Sequence, residues 1–165
     1  MKQGSGMNGE LGTVVALGAV AGARSMLPLV VVSRARPSRG AMGLPPPLSS
    51  LLGSRAAKNM LALAALLELI GDKLPGIPAR IAPLPLAGRA LSGAAAGFMI
   101  ARRTGRKPAV LVALGAACAV AGALGSYWLR KTATERLSSS SARTGLVEDA
   151  AVLLGAGAIL RRLAR

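Results

Sequence analysis

Ala109-Val110-Leu111-Val112-Ala113-Leu114-Gly115-Ala116-Ala117-Cys118-Ala119-Val120-Ala121-Gly122-Ala123-Leu124-Gly125-Ser126-Tyr127-Trp128-Leu129 is a run of 21 residues without a charge. A bilayer core about 30 Å thick takes about 20 helical residues, so length and composition read this stretch as a membrane span. Tyr127 and Trp128 close it as interfacial anchors, and Arg130 and Lys131 follow. Four further apolar runs lie at about 11–33, 56–71, 86–101 and 146–161. The expectation is an all-α, polytopic helical membrane protein of four or five spans. It forms a single membrane domain over 11–165 behind a tail at 1–10, and Met7 is an alternative start.

Composition agrees. Of 165 residues, 52% are hydrophobic and 21 are Gly, while aromatic residues make up 2% (Phe98, Tyr127 and Trp128). Small residues let membrane helices approach closely, whereas a soluble core of this length fills its interior with more aromatic bulk. The net charge of +15 invites a nucleic-acid reading. Three aromatics build few stacking platforms, however, and the bases cluster between apolar runs. Anionic lipid headgroups are the better partner for that charge. With no His, the usual proton carrier and commonest metal ligand are missing, and Cys118 is the single cysteine. Lys2 ahead of an apolar run ending Ala21-Gly22-Ala23 resembles a signal peptide, but hydrophobicity resumes at once after Arg24.

Working outward, the first run is interrupted by Arg24 and Pro28, and the proline predicts a kink or break after that turn. Gly18 and Gly22 give it a small-xxx-small face, as Gly93 and Gly97 do the third run. The triple proline Pro45-Pro46-Pro47 excludes helix from the first loop. The second run ends at Gly71-Asp72-Lys73-Leu74-Pro75, and Gly76–Pro85 reads as a non-helical connector or re-entrant piece. Thr132–Thr144, with four serines from Ser138, reads as a polar loop. Five spans put the chain ends on opposite sides. The segments 34–58, 102–107 and 161–165 then carry twelve bases against seven on the other face, favouring an inside C-terminus. Four spans with a re-entrant second run is the alternative.

Ala19-Val20-Ala21-Gly22-Ala23 recurs as Ala119-Val120-Ala121-Gly122-Ala123. Two readings stand: an inverted repeat, with the copies oppositely oriented, or chance in an Ala/Gly-rich chain.

The charges inside the apolar runs are the site candidates: Arg24, Glu68, Asp72, Lys73, Arg89, Glu148 and Asp149. A charge at the bilayer centre costs about 2.5–3.5 kcal/mol on insertion scales, so such groups pair or face a water-filled cavity. Glu68 and Asp72 are four apart and share a helix face. They suit a proton or cation site, or an ion-paired cluster at the membrane surface. Glu148-Asp149 after Gly145 would complement the dipole of a first turn. A helix broken at Arg24 would expose backbone groups beside a fixed positive charge, suited to an anion or a carboxylate; the alternative is a salt bridge from Arg24 to Glu68 or Asp72.

Ala90-Leu91-Ser92-Gly93 faintly resembles an intramembrane serine protease motif, whose chemistry needs a His base. No phosphate loop or Cys/His zinc spacing occurs. The expectation is no enzyme, no catalytic residue, no metal and no cofactor.

Gly22-Ala23-Arg24-Ser25 with Pro28-Leu29, Glu68 with Asp72-Lys73-Leu74-Pro75, and Glu148-Asp149-Ala150 together resemble the bacterial membrane family called domain of unknown function 4126. The resemblance runs from about Leu11 to Ile159, and Arg130-Lys131 with Glu135-Arg136 match a basic polar patch ahead of its acidic pair. It implies a polytopic protein of a bacterial inner membrane with the same charged positions, and no activity. Two functions fit: a small transporter- or channel-like protein with an intramembrane charged site, or a membrane scaffold whose charges only pair. The transported solute is unreadable. A unit this small is compatible with a homo-oligomer.

Overall fold

The computed structural model describes residues 3–35, 53–71, 82–137 and 141–164. They form helices α1 (Gln3–Ala23), α2 (Leu27–Arg34), α3 (Arg55–Gly71), α4 (Pro83–Thr104), α5 (Pro108–Leu137) and α6 (Ser141–Ala164). The described residues are thus all-helical, without strands.

Glycine decides where the helices meet. Gly18 of α1 abuts Gly115, Cys118 and Ala119 of α5, and Gly22 abuts Ala119, Gly122 and Ala123. A Cβ on Gly22 would stand 2.5 Å from the Ala119 carbonyl oxygen and 2.6 Å from the Gly122 carbonyl carbon, so only hydrogen fits. Both registers advance together, and α1 and α5 therefore run parallel. On the other side of α5, Gly93 of α4 abuts Gly115 and Gly97 abuts Leu111, an antiparallel register. The turn between α4 and α5 follows from its residues. Gly105 takes φ +70° at the end of α4, the Arg106 N–H donates to the Ala101 carbonyl at 2.9 Å, and Pro108 opens α5.

The interior is built from small side chains. Ala21, Ala96, Ala101, Ala119 and Ala123 are fully buried, and Leu17 and Ile100 are the largest fully buried side chains. The bulky apolar residues point outward: Met60, Leu63, Leu67 and Ile70 along α3, and Leu146, Val147, Leu153 and Leu154 along α6. Two helices, α4 and the Pro108–Ala133 part of α5, are long and apolar enough to cross a membrane.

Chain direction follows from the ends. Arg106 donates from Nε to Glu10 Oε2 at 2.6 Å, the Arg162 guanidinium lies against Gly9, and Arg103 donates to the Leu163 carbonyl at 3.4 Å. The start of α1, the α4–α5 turn and the end of α6 therefore share one end of the bundle. α3 packs on α2 and brings its last turns to the gap between α1 and α2, and α4 leaves from that level along α1. Among the described residues, α3 and α4 both run back toward the basic end, α3 stopping at the joint and α4 continuing from it.

Several expectations are corrected. The first turns of α1 and the last turn of α6 lie at one end of the bundle, whereas the five-span reading puts the two ends of the chain on opposite faces. The two pentapeptide copies touch and run parallel, so they are not an inverted pair. The break at 24–26 precedes Pro28, which occupies the first turn of α2, where its missing N–H costs nothing. Pro83 and Pro85 likewise sit in the first turn of α4. Most of 132–144 is helical, because α5 continues to Leu137 and α6 begins at Ser141. α1 begins at Gln3, inside the expected tail.

Candidate functional site: a helix joint held by three other helices

A helix that stops inside a protein leaves carbonyls at its C-terminus and N–H groups at its N-terminus without helical partners. α1 and α2 do this back to back, with Arg24-Ser25-Met26 between them. The last α1 bond is donated by the Arg24 N–H to the Val20 carbonyl at 2.7 Å. Beyond it, Arg89 of α4 donates from Nη1 to the Gly22 carbonyl and, at 3.4 Å, to that of Ala23. Ser92, one turn on, donates its hydroxyl to the Ser25 carbonyl. A guanidinium thus sits at the negative end of α1.

The α2 side mirrors this with a carboxylate. Met26 makes no side-chain cap to α2. Glu68 of α3 supplies one from outside: Oε1 accepts from the Ser25 N–H at 2.7 Å and the Ser25 hydroxyl at 2.8 Å, and Oε2 accepts from the Met26 N–H at 2.9 Å. A negative charge lies on the positive end of α2, where the helix dipole favours it.

The third attachment is ionic. Arg24 donates from Nη2 to Asp149 Oδ1 of α6. Arg24, Arg89 and Asp149 are 4%, 4% and 6% exposed. Beside Asp149, Glu148 accepts from the Ser126 hydroxyl of α5. Arg24 lies 14 residues from Glu10, and Asp149 lies 13 from Arg162. At about 1.5 Å per residue both stand roughly 20 Å in from the basic end. The charged groups therefore form one layer across the bundle.

With that geometry established, the family described as a domain of unknown function (DUF4126) matches residues 11–160. The chain belongs to that family. No curated protein and no solved structure matches it.

In this DUF4126 protein, five of the seven sequence candidates gather at the joint layer: Arg24, Glu68, Arg89, Glu148 and Asp149. Asp72 and Lys73 lie outside the described residues. Two pairings differ from expectation. Arg24 meets Asp149, while the Glu68 carboxylate is taken by the Ser25 and Met26 N–H groups. Glu148-Asp149 lie two turns into α6, not in its first turn, so the helix-dipole account of that pair fails. Ser25, Ser92 and Ser126 were not among the candidates. Their signal is faint but physical: a hydroxyl in an apolar run seeks an acceptor, and each finds one at this layer.

Among the described residues, no group of three His, Cys, Asp or Glu side chains could hold a metal ion. Glu68 holds α3 to the joint and the start of α2 through three hydrogen bonds that end on one carboxylate.

Proposed function

We propose that this protein is a multi-pass membrane protein of transporter or channel type, not an enzyme, seated in the inner membrane of a bacterial cell. The carrying observation is the broken helix, its N–H groups on the Glu68 carboxylate and its Arg24 on Asp149. Non-helical backbone at membrane depth is tolerated only where protein buries it or it lines a watery cavity. Discontinuous helices with charged ends are the usual way transporters build sites within the membrane.

The membrane setting is supported by the arrangement of apolar bulk. Leu84, Leu154, Met60, Leu91 and Val147 stand 85%, 76%, 71%, 71% and 71% exposed, while Arg24, Arg89 and Asp149 are buried inside. Large apolar side chains exposed in such number are uncommon on a soluble monomer and suit a lipid-facing wall. In a bilayer core about 30 Å thick, a layer roughly 20 Å from the basic end lies past the midplane. Residues 11–165 then act as one membrane domain.

One observation favours a second reading, a scaffold: Glu68, Arg24, Asp149, Arg89 and Glu148 all have partners inside the chain. Water access separates the two. Ser25→Cys, in a Cys118→Ser background in sealed vesicles of both orientations, is exposed to a charged, membrane-impermeant thiol reagent. Labelling from one face supports a conduit reaching the joint. Protection from both faces, with an exposed control such as Lys107→Cys labelled, supports the scaffold.

A further inference from the structure

The end of the bundle opposite the α2–α3 pair carries a charge that the helix joint does not use. Arg102 and Arg103 end α4, Arg106 and Lys107 form the turn, and Arg161 and Arg162 lie in the last turn of α6. Among the described residues at that end, the one carboxylate is Glu10, which is held by Arg106. Six bases therefore face one acid, whatever their individual partners.

These bases converge. The Arg103–Leu163 hydrogen bond ties the end of α4 to the end of α6, and Arg162 lies against Gly9 of α1. Arg102, Arg106, Lys107, Arg161 and Arg162 are exposed. The Arg102 guanidinium carbon sits 5.9 Å from the Phe98 ring centre, which holds the arginine near the bundle wall. One turn inward from Lys107, Val110 is exposed on α5, so the charge borders directly on apolar surface. A phosphate diester with acyl chains attached matches both features at once: guanidinium forks for the phosphate oxygens and an apolar wall for the chains. A free anion matches only the first.

We infer that this end face is a binding site for the headgroup of an anionic phospholipid, formed by Arg102, Lys107, Arg161 and Arg162. The inference rests on the membrane reading above. Its test is thermal unfolding of the full chain in neutral detergent micelles, titrated with phosphatidylglycerol, phosphatidylcholine or inorganic phosphate. Phosphatidylglycerol raises Tm at concentrations where the other two do not, and added salt weakens the effect. Replacing Arg102, Arg161 and Arg162 by Gln lowers the apparent affinity about 100-fold, at roughly fivefold per base. Lys58→Gln, at the other end, leaves it unchanged. Equal response to phosphatidylcholine, equal response to inorganic phosphate, or an unchanged response in the triple variant overturns the site. If the triple variant fails to fold, Lys107→Gln with the salt titration of the unaltered chain decides in the same way. Alkaline carbonate extraction, run in parallel, separates this failure from failure of the membrane reading: a chain that stays in the membrane yet shows no lipid preference loses only the site.

Discussion

Removing the Glu68 carboxylate tests the joint most sharply, because one side chain carries three hydrogen bonds. Hydrogen bonds to a charged group contribute about 1.5–3 kcal/mol each. Two of the three share Oε1, and neighbouring bonds do not add fully, so Glu68→Ala costs about 4 kcal/mol. It also strips the start of α2 of its cap and leaves the Ser25 and Met26 N–H groups without an acceptor. Glu68→Gln costs about half as much: its amide oxygen still serves Ser25, but its amino group cannot accept from Met26. For a chain of this length about 1 kcal/mol corresponds to roughly 2–4 °C, so Tm falls by about 8–16 °C for Ala and half that for Gln. Thermal unfolding in detergent micelles reads both. An Ala variant within about 2 °C of the unaltered protein would show that Glu68 does not hold α3 to α2, and a Gln variant as weak as Ala would remove the hydrogen-bond geometry as the cause.

Asp149→Asn removes the carboxylate charge that faces the buried Arg24 and costs about 3–5 kcal/mol. Combining it with Arg24→Gln recovers part of that loss, and a double-mutant cycle reads the coupling; full additivity would deny the pair. Gly22→Val drives a side chain into the α5 backbone, which cannot yield as a flexible side chain can, and costs about 3 kcal/mol or more, seen as loss of monodisperse protein on size exclusion. Gly88→Ala, where nothing lies within 4 Å, is neutral or stabilising by up to about 1 kcal/mol on the same column and in the melt. Glu10→Gln removes a solvent-screened contact to Arg106 and shifts Tm by no more than about 2–4 °C, less at high salt.

The helices were legible because apolar runs of this length admit no other regular structure, and the 21 residues from Ala109 carried that reading alone. Their ends were less so. Pro28, Pro83 and Pro85 read as breaks, yet each sits in a first turn, the one place where proline suits a helix; sequence marks a proline but not which side of it the helix lies on. The polar stretch after Thr132 read as loop because composition reports solvent preference, while α5 continues through it on hydrogen bonds that composition does not encode. The charged positions of the joint were legible as a set, since charge in an apolar run is costly wherever it lies. Their pairing was not. Glu68 bonds to backbone, and backbone partners leave no mark in a sequence. The pentapeptide copies are legible, but only the Gly18 and Gly22 contacts to α5, taken together, give their parallel direction.

The proposed membrane bundle, read as four passes, is tested most directly by single cysteines in the Cys118→Ser chain, placed at Asn8, Lys107, Ala164 and Ser54, in sealed vesicles of each orientation. A membrane-impermeant thiol reagent should label Asn8→Cys, Lys107→Cys and Ala164→Cys from one common face and Ser54→Cys from the other. Asn8→Cys and Ala164→Cys labelled from opposite faces, or Ser54→Cys labelled together with Lys107→Cys, would contradict it.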